Sequence, residues 1–251
     1  MENYIFAKMR YSTGSLGASQ GIFDMKMKNV KLYIKQPIFK LIKSKGKNSF
    51  IDSMIENGKV LDVGCGNNSP YTVKTLRPDV YYVGIDIGIY NQTTEYNMYV
   101  NRLILTDPNN FHTKIEEYSN YFDTIICSHN LEHCNDYIAT TLAMIKSLKK
   151  RGKIYLSFPC EESVGFPSRH GCLNFYDDSS HKNLIQYSAF IATLKQNGMD
   201  IVFATKRYRP MIPFLIGLIC EPFCRLLNKQ APADSTWALY GFETVIIAQK
   251  R

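Results

Sequence analysis

The sequence predicts an α/β protein built on a doubly wound, mostly parallel sheet of seven strands. Three observations carry that expectation. Short, unbroken apolar runs recur along the chain, as in strands buried on both faces. Segments with helical spacing separate them, so each strand is followed by a crossover. A glycine bend, Gly64-Cys65-Gly66, follows the first such run directly.

Residues 1–47 read as a basic N-terminal extension with short helical pieces, and Gly14, Gly17 and Gly21 mark a mobile lead-in. Residues 48–251 are expected to form the domain proper. Phe39–Leu41 and Phe50–Ile55 read as helix, ending near Gly58. Lys59–Val63 is the first strand. Tyr71–Leu76 is a helix stopped by Pro78, and Val80–Ile85 is a second strand closing on Asp86. Arg102–Leu105 is a third strand and Phe122–Cys127 a fourth. Asn135-Asp136 can cap a helix whose Ile138, Leu142, Ile145 and Leu148 share one face, with Gly152 as its stop. Lys153–Phe158 is the fifth strand. A helix from Ser188 turns Phe190, Ile191 and Leu194 inward and ends at Gly198. Asp200–Thr205 and Glu243–Ala248 complete the strands. Between them lies an apolar insertion, residues 210–233, whose Met211–Leu227 suits a lid, a dimer contact or a membrane-surface helix; buried packing is favoured.

Net charge is +8, and its placement matters more than its size. Residues 1–50 hold ten Lys/Arg against Glu2 and Asp24, whereas the rest carries twenty of each sign. A basic segment can meet an anionic partner, but these lysines lack the arginine-rich or aromatic-interleaved pattern of a nucleic-acid binder. Seven cysteines with no C-x-x-C pair are expected to be reduced thiols, which fits the cytoplasm. The first ten residues are polar and charged, not a signal peptide. Ile212–Cys220, the longest apolar run, falls short of the ~20 residues that span a bilayer. Contact with a membrane would therefore be peripheral.

The strongest signal is Val60-Leu61-Asp62-Val63-Gly64-Cys65-Gly66-Asn67-Asn68-Ser69. Glycines at the head of a helix let a ligand lie against backbone amides. Ser69 stands where a dinucleotide fingerprint wants its third glycine, so a pyrophosphate is poorly provided for. Asp62 adds a negative charge that suits a ligand ammonium. Asp86, 22 residues beyond Gly64, can accept both hydroxyls of a ribose.

This pattern resembles motif I and the following acidic position of class I S-adenosylmethionine-dependent methyltransferases. The likeness spans roughly residues 55–205. Phe122 to His133, ending Leu131-Glu132-His133, is similar to the family's post-strand segment. Leu148-Lys149-Lys150-Arg151-Gly152-Lys153 resembles its Leu-Lys-Pro-Gly-Gly turn, with the proline and second glycine replaced. His181, Tyr187-Ser188 and Gly198 resemble a later family stretch. The resemblance implies a Rossmann-like methyltransferase fold and S-adenosylmethionine, leaving as S-adenosylhomocysteine. It also implies a cofactor site in which Gly64 and Gly66 line the methionine and ribose and Asp62 lies near the amino group. Asp86, with Ile87 after it, takes the ribose; Asp107 sits beside the adenine amine and Ser128 faces the sulfonium.

Transfer to a hydroxyl needs a group that takes or polarises its proton. His129, Glu132, His133 and His181 are the candidates. If the segment after the fourth strand is helical, the first three converge. His133 or His181 then serves as general base, or the same four residues hold a divalent ion, or Glu132-His133 is a structural cap. His170 is weakly placed and His112 reads as surface. Arg169, Asn174, Tyr176 and Asp177, beside Asp178 in the polar, aromatic segment Glu161–Lys182, are candidate substrate contacts. That segment looks like its counterpart in bacterial capsule and surface-polysaccharide sugar O-methyltransferases, some acting on nucleotide-linked heptoses. The leading expectation is thus a sugar-hydroxyl O-methyltransferase, with a homodimer allowed. Its rivals are a quinone, phenolic or RNA methyltransferase, RNA being disfavoured by the balanced charge, and a non-catalytic cofactor-binding regulator.

Overall fold

In the computed structural model, which describes residues 45–92 and 95–251, the apolar runs become strands. They are β1 (Lys59–Val63), β2 (Tyr81–Asp86), β3 (Arg102–Leu105), β4 (Phe122–Ser128), β5 (Leu148–Pro159), β6 (Met199–Thr205) and β7 (Glu243–Lys250). Among the described residues they form one seven-stranded sheet in the order β3-β2-β1-β4-β5-β7-β6. All pairings are parallel except those of β7, which runs antiparallel to both β5 and β6. The expected N-terminal extension up to residue 44, with its three glycines and the helix at Phe39–Leu41, lies outside the described residues.

The helices are α1 (Lys47–Asp52), α2 (Ser69–Leu76), α3 (Phe111–Glu116), α4 (Tyr137–Ser147), α5 (Tyr187–Gln196), α6 (Met211–Leu226) and α7 (Ser235–Tyr240). Alternation along each strand sends side chains to opposite faces. Leu61, Val83, Ile125 and Ile154 pack with Phe111 and Ile115 of α3, Ala143 and Met144 of α4, and Phe190 and Leu194 of α5. Their chain neighbours Val60, Tyr82, Ile126 and Tyr155 pack on the other face with Phe50 and Ile51 of α1 and Val73 of α2. Burying the sheet on both faces is what its unbroken apolar runs require.

Three local expectations need correction. α1 stops at Asp52, short of Ile55, which is 61% exposed. β5 starts at Leu148 rather than Lys153, because Leu148 already pairs with Phe122 of β4; an irregularity that includes left-handed Arg151 (φ 64°) separates that pair from the regular register resuming at Lys153. The inward face of α4 is Thr140, Thr141, Ala143, Met144, Ile145 and Ser147, while Leu142 is exposed. The polar members of that face hide their hydroxyls by donating to their own helix: Thr140 to the Asp136 carbonyl, Thr141 to that of Tyr137 and Ser147 to that of Met144.

A fourth correction concerns α6. Its apolar sequence favours buried packing, yet only Gly217 and Glu221 are buried. Gly217 is where α6 crosses α7, since a Cβ there would stand 2.5 Å from the Ser235 carbonyl.

Asp136 caps α4, its carboxylate accepting the Ala139 N–H at 2.8 Å. Asp136→Ala should lower stability by about 1 kcal/mol, the usual worth of such a cap. Urea unfolding should show a shifted midpoint with an unchanged slope.

Candidate active site

Parallel register places the site. Val63 lies beside Ile85 of β2 and Cys127 of β4, so the residues that follow, Gly64, Asp86 and Ser128, share one edge of the sheet. Gly64 has φ +75°, and a Cβ on it would meet the Asn130 side chain at 2.4 Å. Its N–H donates to the Ile85 carbonyl at 2.9 Å, fixing the bend to β2. Asn67 and Asn68, at φ 53° and 55°, take the left-handed turn that opens α2. On Gly66 a Cβ would lie 3.7 Å from Asp86 Oδ2 and 3.5 Å from Tyr90 Cβ. The bare face of that glycine therefore looks onto the Asp86 carboxylate.

Asp62 is buried. Its Oδ2 accepts from Ser69 Oγ at 2.5 Å and Tyr82 Oη at 2.7 Å, while Oδ1 has no partner. Lys47 Nζ donates to Ser69 Oγ at 2.8 Å. A buried carboxylate oxygen without a donor is costly, and an ammonium group would satisfy it. Asp86 Oδ1 accepts the Ile87 N–H at 2.7 Å, and burial pushes the carboxyl up to about 6 despite that bond. These features fit the aminoacyl and ribose portions of S-adenosylmethionine. The Ile87 side chain is exposed, and its N–H is the one that Asp86 accepts. Ser128 Oγ lies 2.9 Å from Ser157 Oγ at the end of β4. Asp107 is exposed and spends both oxygens on Asn109 and Asn110, which is the work of a turn rather than of a ligand contact.

The expected convergence of His129, Glu132 and His133 is only half realised, because the segment is one 3-10 turn, Leu131–His133, and not an α-helix. His129 takes φ 51° and turns away. Its Nδ1 meets Glu132 Oε1 at 3.1 Å and its Nε2 meets Glu243 Oε1 at 2.7 Å. Burial alone would lower its pKa, but the two carboxylates outweigh it and carry it up to about 10. A charged imidazole with both nitrogens bound is neither base nor metal ligand, so His129 leaves the candidate set.

Glu132, His133 and His181 do come together, with one ligand atom from each lying within 4.8 Å of the others. The Glu132 carbonyl accepts the Lys182 and Asn183 N–H groups at 2.7 and 3.0 Å, drawing that loop against it. The rings of His133 and His181 are 4.8 Å apart. His181 Nδ1 donates to the Phe175 carbonyl at 2.6 Å, which leaves Nε2 with its lone pair. Ser180 Oγ donates to Asp178 Oδ1 at 2.5 Å and accepts from His133 Nδ1 at 2.9 Å, which frees His133 Nε2 likewise. Burial pushes the His181 pKa below its ordinary value, so the ring is neutral near pH 7. Glu132 Oε2 is buried and has no partner.

Three of the four expected substrate contacts are scaffolding. Arg169 is buried, its guanidinium 2.6 Å from Glu221 of α6. Asn174 caps the turn Phe175–Asp177 and donates to the Val164 and Phe166 carbonyls. Asp177 accepts the N–H groups of Arg169, Leu173 and Asn174 as well as the Ser168 hydroxyl. Tyr176 alone stays available, 73% exposed, with its ring edge-on to Phe175. His170 is exposed and His112 half-buried.

Sequence reasoning missed Ser180, Asn130 and Glu243. The Asp178-Ser179-Ser180 spacing is the signal for the first, being that of a side-chain-closed turn. No local signal marks Glu243, which meets His129 from 114 residues away.

The family profile for a methyltransferase domain matches residues 38–202. No curated protein matches the sequence. Among solved structures, a chain of the Haloferax volcanii complex between the Trm112 methyltransferase activator and a methyltransferase aligns with TM-score 0.57 at 13% identity. That alignment covers 79% of this chain and 84% of the other. An S-adenosylmethionine-dependent methyltransferase from Mesorhizobium loti aligns with TM-score 0.51 at 11% identity, over 78% and 92%. The [4+2]-cyclase SpnF aligns with TM-score 0.51 at 13% identity, over 81% and 79%. At these identities the likeness is one of fold, and a cyclase among the neighbours illustrates that fold alone does not set the reaction.

The doubly bound His129 generates a pH prediction. Its pKa is raised from 6.5 to about 10, so its stabilising contribution is complete below pH 6.5 and disappears as pH rises through about 10. Urea unfolding should show a loss of about 3 kcal/mol across that interval, in the range for a broken buried pair. His129→Gln should flatten the dependence.

Proposed function

The chain belongs to this methyltransferase-domain family and is an S-adenosylmethionine-dependent methyltransferase; on that premise we propose that its acceptor is a hydroxyl of a sugar, carried on a nucleotide and destined for a capsular or surface polysaccharide. The observation that carries the proposal is the pair His133, in the turn after β4, and His181, in the segment between β5 and α5, both tied at Nδ1 and both with Nε2 free. Family membership sets aside the reading as a non-catalytic regulator.

S-adenosylmethionine supplies an electrophilic methyl group on a sulfonium. The residues of this chain do the rest. Asp62 Oδ1 receives the cofactor's ammonium, and Asp86 receives the ribose hydroxyls. One free imidazole nitrogen would take the acceptor proton and so leave the acceptor oxygen able to receive the methyl group. A neutral imidazole suits that task near pH 7. The Asp178–Ser180–His133 chain holds one ring in place. Exposed Tyr176 offers an aromatic face to a sugar ring. A second reading rests on Glu132 Oε2: with His133 and His181 it fits a divalent ion, which would polarise the hydroxyl directly. We also place the protein in the cytoplasm on the strength of its seven free cysteines. Among the described residues no helix is long and apolar enough to cross a membrane.

Asp86→Ala should weaken S-adenosylmethionine binding about 30-fold or more, the worth of two hydrogen bonds to a charged group. Because burial sets the Asp86 carboxyl at about 6, wild-type affinity measured calorimetrically should fall as pH drops through that value. Asp86→Asn should remove the pH dependence, and undiminished binding by Asp86→Ala would take the residue out of the site.

His181→Ala and His133→Ala should each leave cofactor affinity within about twofold, and the variant that removes the base should lower turnover by ~10²–10⁴. Mass spectrometry of nucleotide sugars incubated with enzyme and cofactor should find a gain of one methyl group. Wild-type rates in both variants would rule out either ring as base. Activity lost on dialysis against EDTA and restored by a divalent ion would replace the base with the metal.

A further inference from the structure

Among the described residues, α6 carries the most extensive exposed apolar stripe. Ile212 (58%), Leu215 (51%), Ile219 (72%), Phe223 (68%), Leu226 (85%) and the following Leu227 (67%) recur at three- and four-residue spacing on the outer side. The inner side, Gly217 and Glu221, is fixed to the body. Gly217 abuts α7, and Glu221 pairs with buried Arg169. The stripe is therefore held outward by the fold.

Charge decides what covers it. From residue 206 to 233 the only carboxylate is Glu221, which is buried. The helix has exposed Arg209 before it and exposed Arg225 and Lys229 at its far end, whereas Arg207 is turned onto Phe166 and the Tyr240 carbonyl. Two copies packed two-fold through this stripe would set basic ends against each other, start against far end if antiparallel and like end against like end if parallel, with no exposed acid of this segment between. A helix with an apolar face and basic ends is instead matched by a sheet of negative headgroups over hydrocarbon. At ~1.5 Å per residue it lies along such a surface for about 24 Å.

We propose that α6 docks the protein on an anionic lipid surface, its stripe entering the headgroup boundary and its basic ends meeting the lipid phosphates. The inference is independent of the acceptor and of the base. The Arg169–Glu221 pair joins the docked helix to the loop that carries Tyr176, so the site stays in fixed relation to that surface.

The test is co-sedimentation of the full chain with phosphatidylglycerol–phosphatidylcholine vesicles and with phosphatidylcholine alone. We expect binding to the anionic vesicles at least tenfold tighter than to the neutral ones. Phe223→Asp and Leu226→Asp should weaken it tenfold or more, with circular dichroism and cofactor binding unchanged because both side chains are exposed. Both variants keep every lysine and arginine of residues 1–50. Undiminished vesicle binding in them would thus assign the attraction to that basic segment and overturn the proposal. So would a wild-type chain left in the supernatant with every vesicle, or a dimer in sedimentation velocity that Phe223→Asp dissolves.

Discussion

The parallel register of β1 with β2 and β4 is the constraint from which the site follows. Val63 sits level with Ile85 and Cys127, and one residue further each strand gives out. The chain must then turn, and what it turns with differs by strand: a glycine bend after β1, a carboxylate at the end of β2, a serine and histidine after β4. A one-residue slip of β2 would send Asp86 to the opposite face and bring an apolar side chain to the bend. Such a slip is opposed by the whole sheet, because Val60 and Tyr82 on one face and Leu61 and Val83 on the other are buried in separate cores. The apolar core thus sets the spacing of polar groups that contribute little to stability themselves.

Much of this was legible in the sequence, for a definite reason. Strands buried on both faces show themselves as unbroken apolar runs, and β1 and β3 fall at the expected boundaries, Lys59–Val63 and Arg102–Leu105. That Asp62, Gly64, Gly66 and Asp86 lie together at one sheet edge was legible because their positions depend on one strand and its neighbour. Where a polar side chain serves its own backbone, the reading failed. Thr140, Thr141 and Ser147 look solvated by composition, yet donating to their own helix lets them face the core. Asn174 and Asp177 look like substrate ligands, yet a segment without a sheet partner must satisfy its N–H groups from side chains, and these two do so. Composition cannot separate a polar group aimed at a ligand from one aimed at its own loop.

Glu132 shows how a single buried carboxylate divides a histidine cluster. Its Oε1 faces His129, which Glu243 also holds, and that side is a closed charged triad packed near Trp237 and Phe242. Its Oε2 has no donor, while its carbonyl holds the loop that brings in His181. The first oxygen is spent on structure. The imidazolium of His129 offsets part of the cost of keeping a carboxylate fully buried. The second oxygen retains the unmet demand that a proton-bearing or cationic group would answer.

The same reasoning applies at Asp62. Ser69 and Tyr82 fix one oxygen and thereby aim the other, which is left without a donor in a buried place. Desolvated carboxylate oxygens of this kind cost stability unless something met later repays them. One of these orphans belongs to β1 itself and the other to the turn after β4, and the two strands are neighbours in the sheet. One answers an ammonium and the other a group that gives up or shares a proton. On the proposed reading, the deficit on β1 would be met by the cofactor's ammonium, and the deficit after β4 lies beside His133 and His181, so both ends of the reaction would depend on the same adjacent pair of strands.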